Sequence, residues 1–254
     1  MARYFIEVSY KGTRYSGFQI QENAGSIQSE VEKALQILHR TPIQLTGSSR
    51  TDAGVHALQN FFHFDFENEI HPQAVYKLNA ILPADVVVHN IYPMPPEAHS
   101  RFDATSREYN YRIHCFKNPF LEHASLYYPY KLDVDLLQEG ATYILSHQNF
   151  VAFSKTNTQV KNFNCTIIES NWLKEGDNLY YQIRANRFLR GMVRLLTGTL
   201  LKLGRGKISF HEFRQFLEGD RKTAYSVPAH GLYLKKVNYA ENYFPAPPQC
   251  FTSI

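Results

Sequence analysis

From residue 3 to residue 10 apolar and polar side chains alternate, with Tyr4, Ile6 and Val8 on one side, the period of a strand with a covered face. A basic and aromatic loop follows over residues 11–25, and then the period changes. Ile27, Val31, Ala34, Leu35 and Leu38 recur at helical spacing, Ser26 stands at the cap position, and Glu30 and Glu32 lie in the opening turns. Residues 42–45 and 58–66 read as strands. In the second, Phe62, Phe64 and Phe66 share a face opposite His63 and Asp65. A short helix is predicted over 72–81 and a strand over 85–92. The pattern then recurs more loosely: strand 108–116, helix 134–145, strands 165–173 and 179–185, helices 188–203 and 210–217, and a last strand 231–237. The proline-rich stretch 243–248 is expected to lie extended over the surface.

Strands joined by glycine-bearing turns as well as by helices predict an α+β protein with a mixed or mainly antiparallel sheet and helices packed on it. Two roughly equal halves are expected, residues 1–105 and 106–254. Neither a Gly-x-Gly-x-x-Gly nor a P-loop sequence occurs, which disfavours the doubly wound nucleotide binders.

Composition narrows the class further. A chain of 254 residues with 44% hydrophobic and 20% charged content can bury a sizeable core and is not of the disordered type. The formal charge of +4 tilts it toward polyanionic partners without the large basic excess that would signal nucleic acid alone. Cys115, Cys165 and Cys250 are far apart and form no Cys-x-x-Cys pair, which argues against a disulfide framework or structural zinc and for a reducing compartment. Cys165 and Cys250 are read as packing residues. With no apolar signal region at the amino terminus and no apolar run of about 18 residues, the expectation is a cytoplasmic protein without a membrane partner.

Four segments carry candidate chemistry. In residues 47–56 small residues bracket Arg50 and Asp52 between two strands, a loop that presents a carboxylate beside a guanidinium; an Asx-type turn is the plainer alternative. Over residues 10–21, Lys11 and Arg14 interleave with Tyr10, Tyr15 and Phe18, a mixture that holds phosphates and stacks bases but also suits a solvated hairpin tip. Residues 99–111 hold Arg101, then Tyr109 and Tyr111 pointing the same way on a strand, where packing alone also explains them. Arg187, Arg190 and Arg194 are spaced as a basic stripe beside the apolar stripe of the predicted helix 188–203. Near a helix N-terminus they oppose the macrodipole unless an anion offsets them, and a solvated charged face is the alternative. Arg194, two turns into that helix among apolar neighbours, is the one better suited to a buried partner.

Residues 50–56, Arg-Thr-Asp-Ala-Gly-Val-His, resemble the catalytic motif of the tRNA pseudouridine synthase A family. The resemblance extends over nearly the whole chain: the Tyr-x-Gly-x-x-Tyr-x-Gly-Phe-Gln loop of residues 10–19, Leu82-Pro83-x-Asp85, and His99-x-Arg101-Phe102 leading to Tyr109-x-Tyr111. Met192-Val193-Arg194 and Gly231-Leu232-Tyr233-Leu234 follow in the same order. One departure is Ser49, where the family usually has glycine. The resemblance implies an enzyme that isomerises uridine to pseudouridine at positions 38, 39 and 40 of the tRNA anticodon stem-loop. It also implies two ferredoxin-like halves sharing a central antiparallel sheet with an RNA cleft between them, a homodimer, and no metal or organic cofactor. Carried over by position, Asp52 is the essential carboxylate, Tyr109 packs on the target uracil, Arg194 pairs with Asp52, and Arg50 helps hold the place of the flipped nucleotide. Lys11, Arg14, Arg101, Arg187 and Arg190 are candidates for phosphate contact, with Arg205 and Lys207 further along.

The residue types fit that chemistry. A stacked base must be swung out at a cost of a few kcal/mol, and a long cation such as Arg50 can fill its place. A carboxylate can then act as nucleophile or remove the C2′ proton, and a guanidinium in contact favours its ionised form. Two other classes are weighed against this: a non-catalytic RNA-binding module, and a metal-dependent hydrolase suggested by the 11 His residues, although His56, His63 and His71 lack a ligand spacing. His56 is expected to play a structural part beside the loop.

Overall fold

The chain begins with β1 (Ala2–Tyr10), a 3-10 turn at Gly12–Arg14, α1 (Ile27–His39), β2 (Thr46–Gly47), β3 (His56–Phe66), α2 (Ala74–Ile81) and β4 (Val86–Met94). This is a computed structural model, describing residues 1–155, 161–219 and 222–245. β1 is a middle strand, antiparallel to β3 on one side and to β4 on the other. It is covered on both faces, so Phe5 is as buried as Ile6 and Val8, and the one-sided alternation of the sequence understates its burial. The α1 helix starts with a reciprocal box: Ser26 Oγ accepts from Ser29 N at 3.1 Å and Ser29 Oγ from Ser26 N at 3.0 Å. Ile27, Val31, Ala34 and Leu35 form its buried face.

The strand expected over 42–45 does not form. Pro42 has no N–H to give, and Leu45 N donates to Glu32 Oε1 at 2.9 Å, so the ladder with β3 is reduced to Thr46 and Gly47. Ile43 and Leu45 are still buried, as apolar residues rather than as strand members.

The following elements are β5 (Ser106–His114), β6 (Leu126–Tyr127), α3 (Val134–Ile144), β7 (Ile167–Glu175), β8 (Asn178–Ala185), α4 (Met192–Gly204), α5 (Phe210–Leu217) and β9 (Leu232–Asn238). β8 pairs antiparallel with β5 and with β7, and β6 runs parallel to the end of β5. The α+β class is as expected. Contacts group the chain into two units, Ser106–Lys235 and, separately, Met1–Thr105 with the segment from Lys236 on.

The largest departure from the sequence pattern is α4, which begins at Met192 rather than at Phe188. Gly191 takes a φ of 73°, in the left-handed region, and the Lys155 side chain lies where a Cβ there would sit, 3.0 Å away. The helix cannot continue back through that residue. Arg187 and Arg190 therefore precede the helix, the three-arginine stripe does not exist, and Arg194 sits in the first turn rather than two turns in.

The end of the described chain also differs. Instead of only lying extended, Phe244 stacks on Phe61 with centroids 5.1 Å apart and packs on Tyr92 at 4.7 Å, while Tyr243 stacks on Tyr239 at 4.9 Å. Residues 246–248 and Cys250 lie outside the described residues. Cys165 is buried, which pushes its thiol up to about 11 and suits a packing role.

Candidate active site

Residues 48–55 join β2 to β3, and nearly every polar group on their flanks is tied down. Ser48 N donates to Phe61 O at 2.8 Å, and Asn60 Nδ2 donates to Ser49 O at 2.8 Å. Phe18 N donates to Thr51 O at 3.1 Å, and Tyr10 and Thr51 join their hydroxyls at 2.9 Å. Val55 N closes the turn onto Asp52 O at 3.1 Å, with Gly54 supplying a φ of 79°. His56, buried at the start of β3, accepts from Gly12 N through Nδ1 at 3.0 Å, the structural part expected of it. In this frame Asp52 is half-buried and Arg50 is exposed. Among the described residues no hydrogen bond or ion pair holds the Arg50 guanidinium. Ser49 does not need a positive φ, so a side chain in place of glycine strains nothing.

The loop of residues 10–21 is fastened to this one through its glycines. A Cβ on Gly12 would meet Val55 O at 2.0 Å, and one on Gly17, at a φ of 125°, would meet Thr51 O at 3.1 Å. Asp85 braces the far side of the same loop. It takes Arg14 Nε at 2.7 Å, Arg14 Nη2 at 3.0 Å and the Tyr15 hydroxyl at 2.6 Å, while its carbonyl accepts from Lys11 N at 2.9 Å. Burial alone would raise the Asp85 carboxyl, but the bonds and charge of Arg14 and the Tyr15 hydroxyl together hold it below the usual carboxylate range. Arg14 thus has a structural partner, whereas Lys11 stands exposed beside it.

In the second unit Tyr109 is buried on β5 opposite Ile183 of β8, and Phe188 meets its ring edge-on at 5.1 Å and 85°. Tyr111, on the same face, is fully enclosed and donates to Pro228 O at 2.8 Å. Burial pushes its hydroxyl far above the ordinary value, so it stays a donor. Arg194 is half-buried; its Nε donates to Val227 O at 2.7 Å and its own carbonyl accepts from Val227 N at 3.3 Å. Arg187 is half-buried, Arg190 is exposed, and Arg101 is exposed with its guanidinium 5.8 Å from the Phe102 ring centre. Arg205 stacks on Tyr130 at 3.6 Å. Among the described residues no group of three His, Cys, Asp or Glu side chains could hold a metal ion.

The first unit therefore brings Arg50, Thr51 and Asp52 together with the loop of Lys11 and Arg14, and the second brings Tyr109 against Phe188. Sequence reasoning did not single out Asn60, which carries no motif signal; it lies beneath the Asp52 loop because β3 turns it inward.

A family profile described as tRNA pseudouridine synthase matches residues 143–240. A Parabacteroides distasonis protein named tRNA pseudouridine synthase A is 45% identical over 249 residues, covering 96% of this chain and 99% of its own. Proteins of the same name from Porphyromonas gingivalis and Bacteroides thetaiotaomicron are 43% and 42% identical, over 96% of this chain and 100% and 93% of theirs.

Proposed function

We propose, from the premise that this chain belongs to the tRNA pseudouridine synthase A family, that Asp52 is the carboxylate with which it isomerises uridine to pseudouridine in tRNA. The observation that carries the assignment is the loop itself. One half-buried acid is presented by a segment clamped to β1, β3 and the neighbouring loop, with an exposed arginine two positions before it.

The target uridines are those at positions 38, 39 and 40 of the anticodon stem-loop. The base leaves its stack, at a cost of a few kcal/mol, and Arg50 occupies the space it vacates. Tyr109 offers the flat face on which the uracil packs, worth roughly 1–3 kcal/mol for a stacked base. Arg194 is the residue assigned to pair with Asp52 and favour its ionised form. The glycosidic C–N bond breaks, the uracil turns, C5 bonds to C1′, and the C5 proton is replaced by the glycosidic bond while N1 regains a proton. Atoms balance without a co-reactant, and Asp52 serves either as nucleophile or as base at C2′. The chemistry calls for no metal or organic cofactor, and undiminished turnover in excess chelator is the expected result.

Lys11, Arg14, Arg101, Arg187 and Arg190 form the phosphate-contacting set. The enzyme works as a homodimer in the cytoplasm; among the described residues no helix is long and apolar enough to cross a membrane. Sedimentation at assay concentration checks the dimer. The catalytic assignment is tested on an anticodon-arm transcript: Asp52→Asn binds the RNA and yields no pseudouridine, and full turnover by that variant overturns it.

A further inference from the structure

We infer that Tyr10 and Asn60 are positioning residues for the reaction, acting through Thr51 on the Asp52 loop; this rests on Asp52 being the reacting carboxylate. Asn60 is 0% exposed, Tyr10 5% and Thr51 8%, so Tyr10 and Asn60 lie beneath the loop, against its buried Thr51, in a core otherwise built from rings such as Phe18 and Phe62. A buried polar group is costly unless bonded, and a phenylalanine at position 10 would fill the same space without that cost.

The bonds of these groups have a direction. Phe61 N can only donate, and it donates to Asn60 Oδ1 at 2.9 Å, which fixes the amide with its oxygen toward Phe61. The Asn60 NH2 group then donates to Ser49 O at 2.8 Å and to the Tyr10 hydroxyl oxygen at 3.2 Å. Burial pushes the Tyr10 phenol up to about 12, against the lowering effect of its bonds to Thr51 and Asn60, so it keeps its proton. With Asn60 on its oxygen, that proton goes to Thr51 Oγ1, 2.9 Å away. The chain of donors runs from Asn60 through Tyr10 to Thr51, and it grips the loop on both sides of Arg50, at Ser49 and at Thr51. Thr51 is the covalent neighbour of Asp52. A slack of even 1 Å at a reacting group can cost about 100-fold in rate, which is the scale of effect such a grip prevents.

The test separates a positioning role from general support of the fold. Single-turnover rates and tRNA affinity are measured for Tyr10→Phe, Thr51→Val and Thr51→Ser, with Asp52→Asn run alongside. Tyr10→Phe and Thr51→Val lower the single-turnover rate by about 10-fold or more, tRNA affinity stays within about 2-fold, and Thr51→Ser, which keeps the acceptor oxygen, restores the rate. Rates within about 2-fold of the parent in Tyr10→Phe and Thr51→Val overturn the inference, as does a parallel loss of rate and affinity that Thr51→Ser fails to rescue. Should Tyr10→Phe not fold, the Thr51 pair decides alone. A dead Asp52→Asn beside a fully active Tyr10→Phe overturns this inference and leaves the carboxylate reading standing; an active Asp52→Asn overturns the carboxylate reading itself.

Discussion

Gly12 lies against the main chain of Val55 so closely that a Cβ would come within 2.0 Å of the Val55 carbonyl oxygen. One residue opens the Tyr10 loop and the other closes the Asp52 turn. The two loops are therefore a single packed layer, and the glycines of the first are part of the geometry of the second.

Gly12→Ala tests that layer directly. Backbone stands in the way rather than a pliable side chain, so the substitution must move a loop, with a destabilisation of about 1–3 kcal/mol and loss of pseudouridine formation. Gly25→Ala is the control, since no atom lies within 4 Å of its Cβ position. Urea unfolding and a turnover assay on the pair check the contrast; equal behaviour of the two variants contradicts it.

On the proposed role of Tyr109, the neighbouring tyrosines of β5 have different tasks. Tyr111→Phe removes the donor to Pro228 O, a part-buried bond, and costs about 0.5–1.5 kcal/mol of stability, with activity per folded molecule kept. Tyr109→Leu loses the stacking face and with it turnover, at nearly unchanged tRNA affinity. Melting curves and single-turnover kinetics tell the two apart.

His63 makes stability pH-dependent in a predictable direction. Burial first, then the charges of His99 and Arg3, push its imidazole down to about 4, and its Nδ1 accepts from Ser100 N at 3.2 Å. In the unfolded chain a histidine takes its proton near pH 6.5. Between about 4 and 6.5 the unfolded state therefore binds more protons, so stability falls as pH is lowered through that window and the His63 contribution levels off below it. His63→Gln flattens the slope in urea midpoints across that range, and an NMR titration places the His63 ring below pH 5. A ring titrating near 6.5 contradicts the account.

Binding of tRNA should weaken steeply with salt. Each of Arg187→Ala and Arg190→Ala is expected to reduce the slope of log affinity against log salt by about 1. Arg14→Ala changes it least, because Asp85 already engages that guanidinium at 2.7 and 3.0 Å. Fluorescence anisotropy over a salt series measures all three, and a flat response in the parent removes these residues from the phosphate-contacting set.

Sequence and structure agree where the deciding interaction is local. α5 matches its predicted span of 210–217 because its apolar residues repeat at helical spacing, and the structure closes its start with a capping box of Ser209 and Glu212. The predicted start at residue 188 fails for α4 because Arg187, Phe188, Leu189 and Arg190 are all tolerable in a helix; what stops it is the backbone angle of Gly191, covered by Lys155, which is remote in sequence. In the candidate site the Asp52 motif was legible as a string, and so were the glycines of the Tyr10 loop. That those glycines press on the Asp52 loop, and that Asn60 lies under it, depends on pairings across β1 and β3 that no periodicity encodes.

The aromatic seal at Tyr239, Tyr243 and Phe244 has a consequence for biosynthesis. These rings cover Phe5, Phe61 and Tyr92, yet they are translated after the whole of the second unit. On the ribosome the amino-terminal unit must wait, with part of its apolar surface unprotected, until residue 244 emerges from the exit tunnel. A nascent chain stalled before that point would be an early client for chaperones, even though its Asp52 loop was synthesised long before.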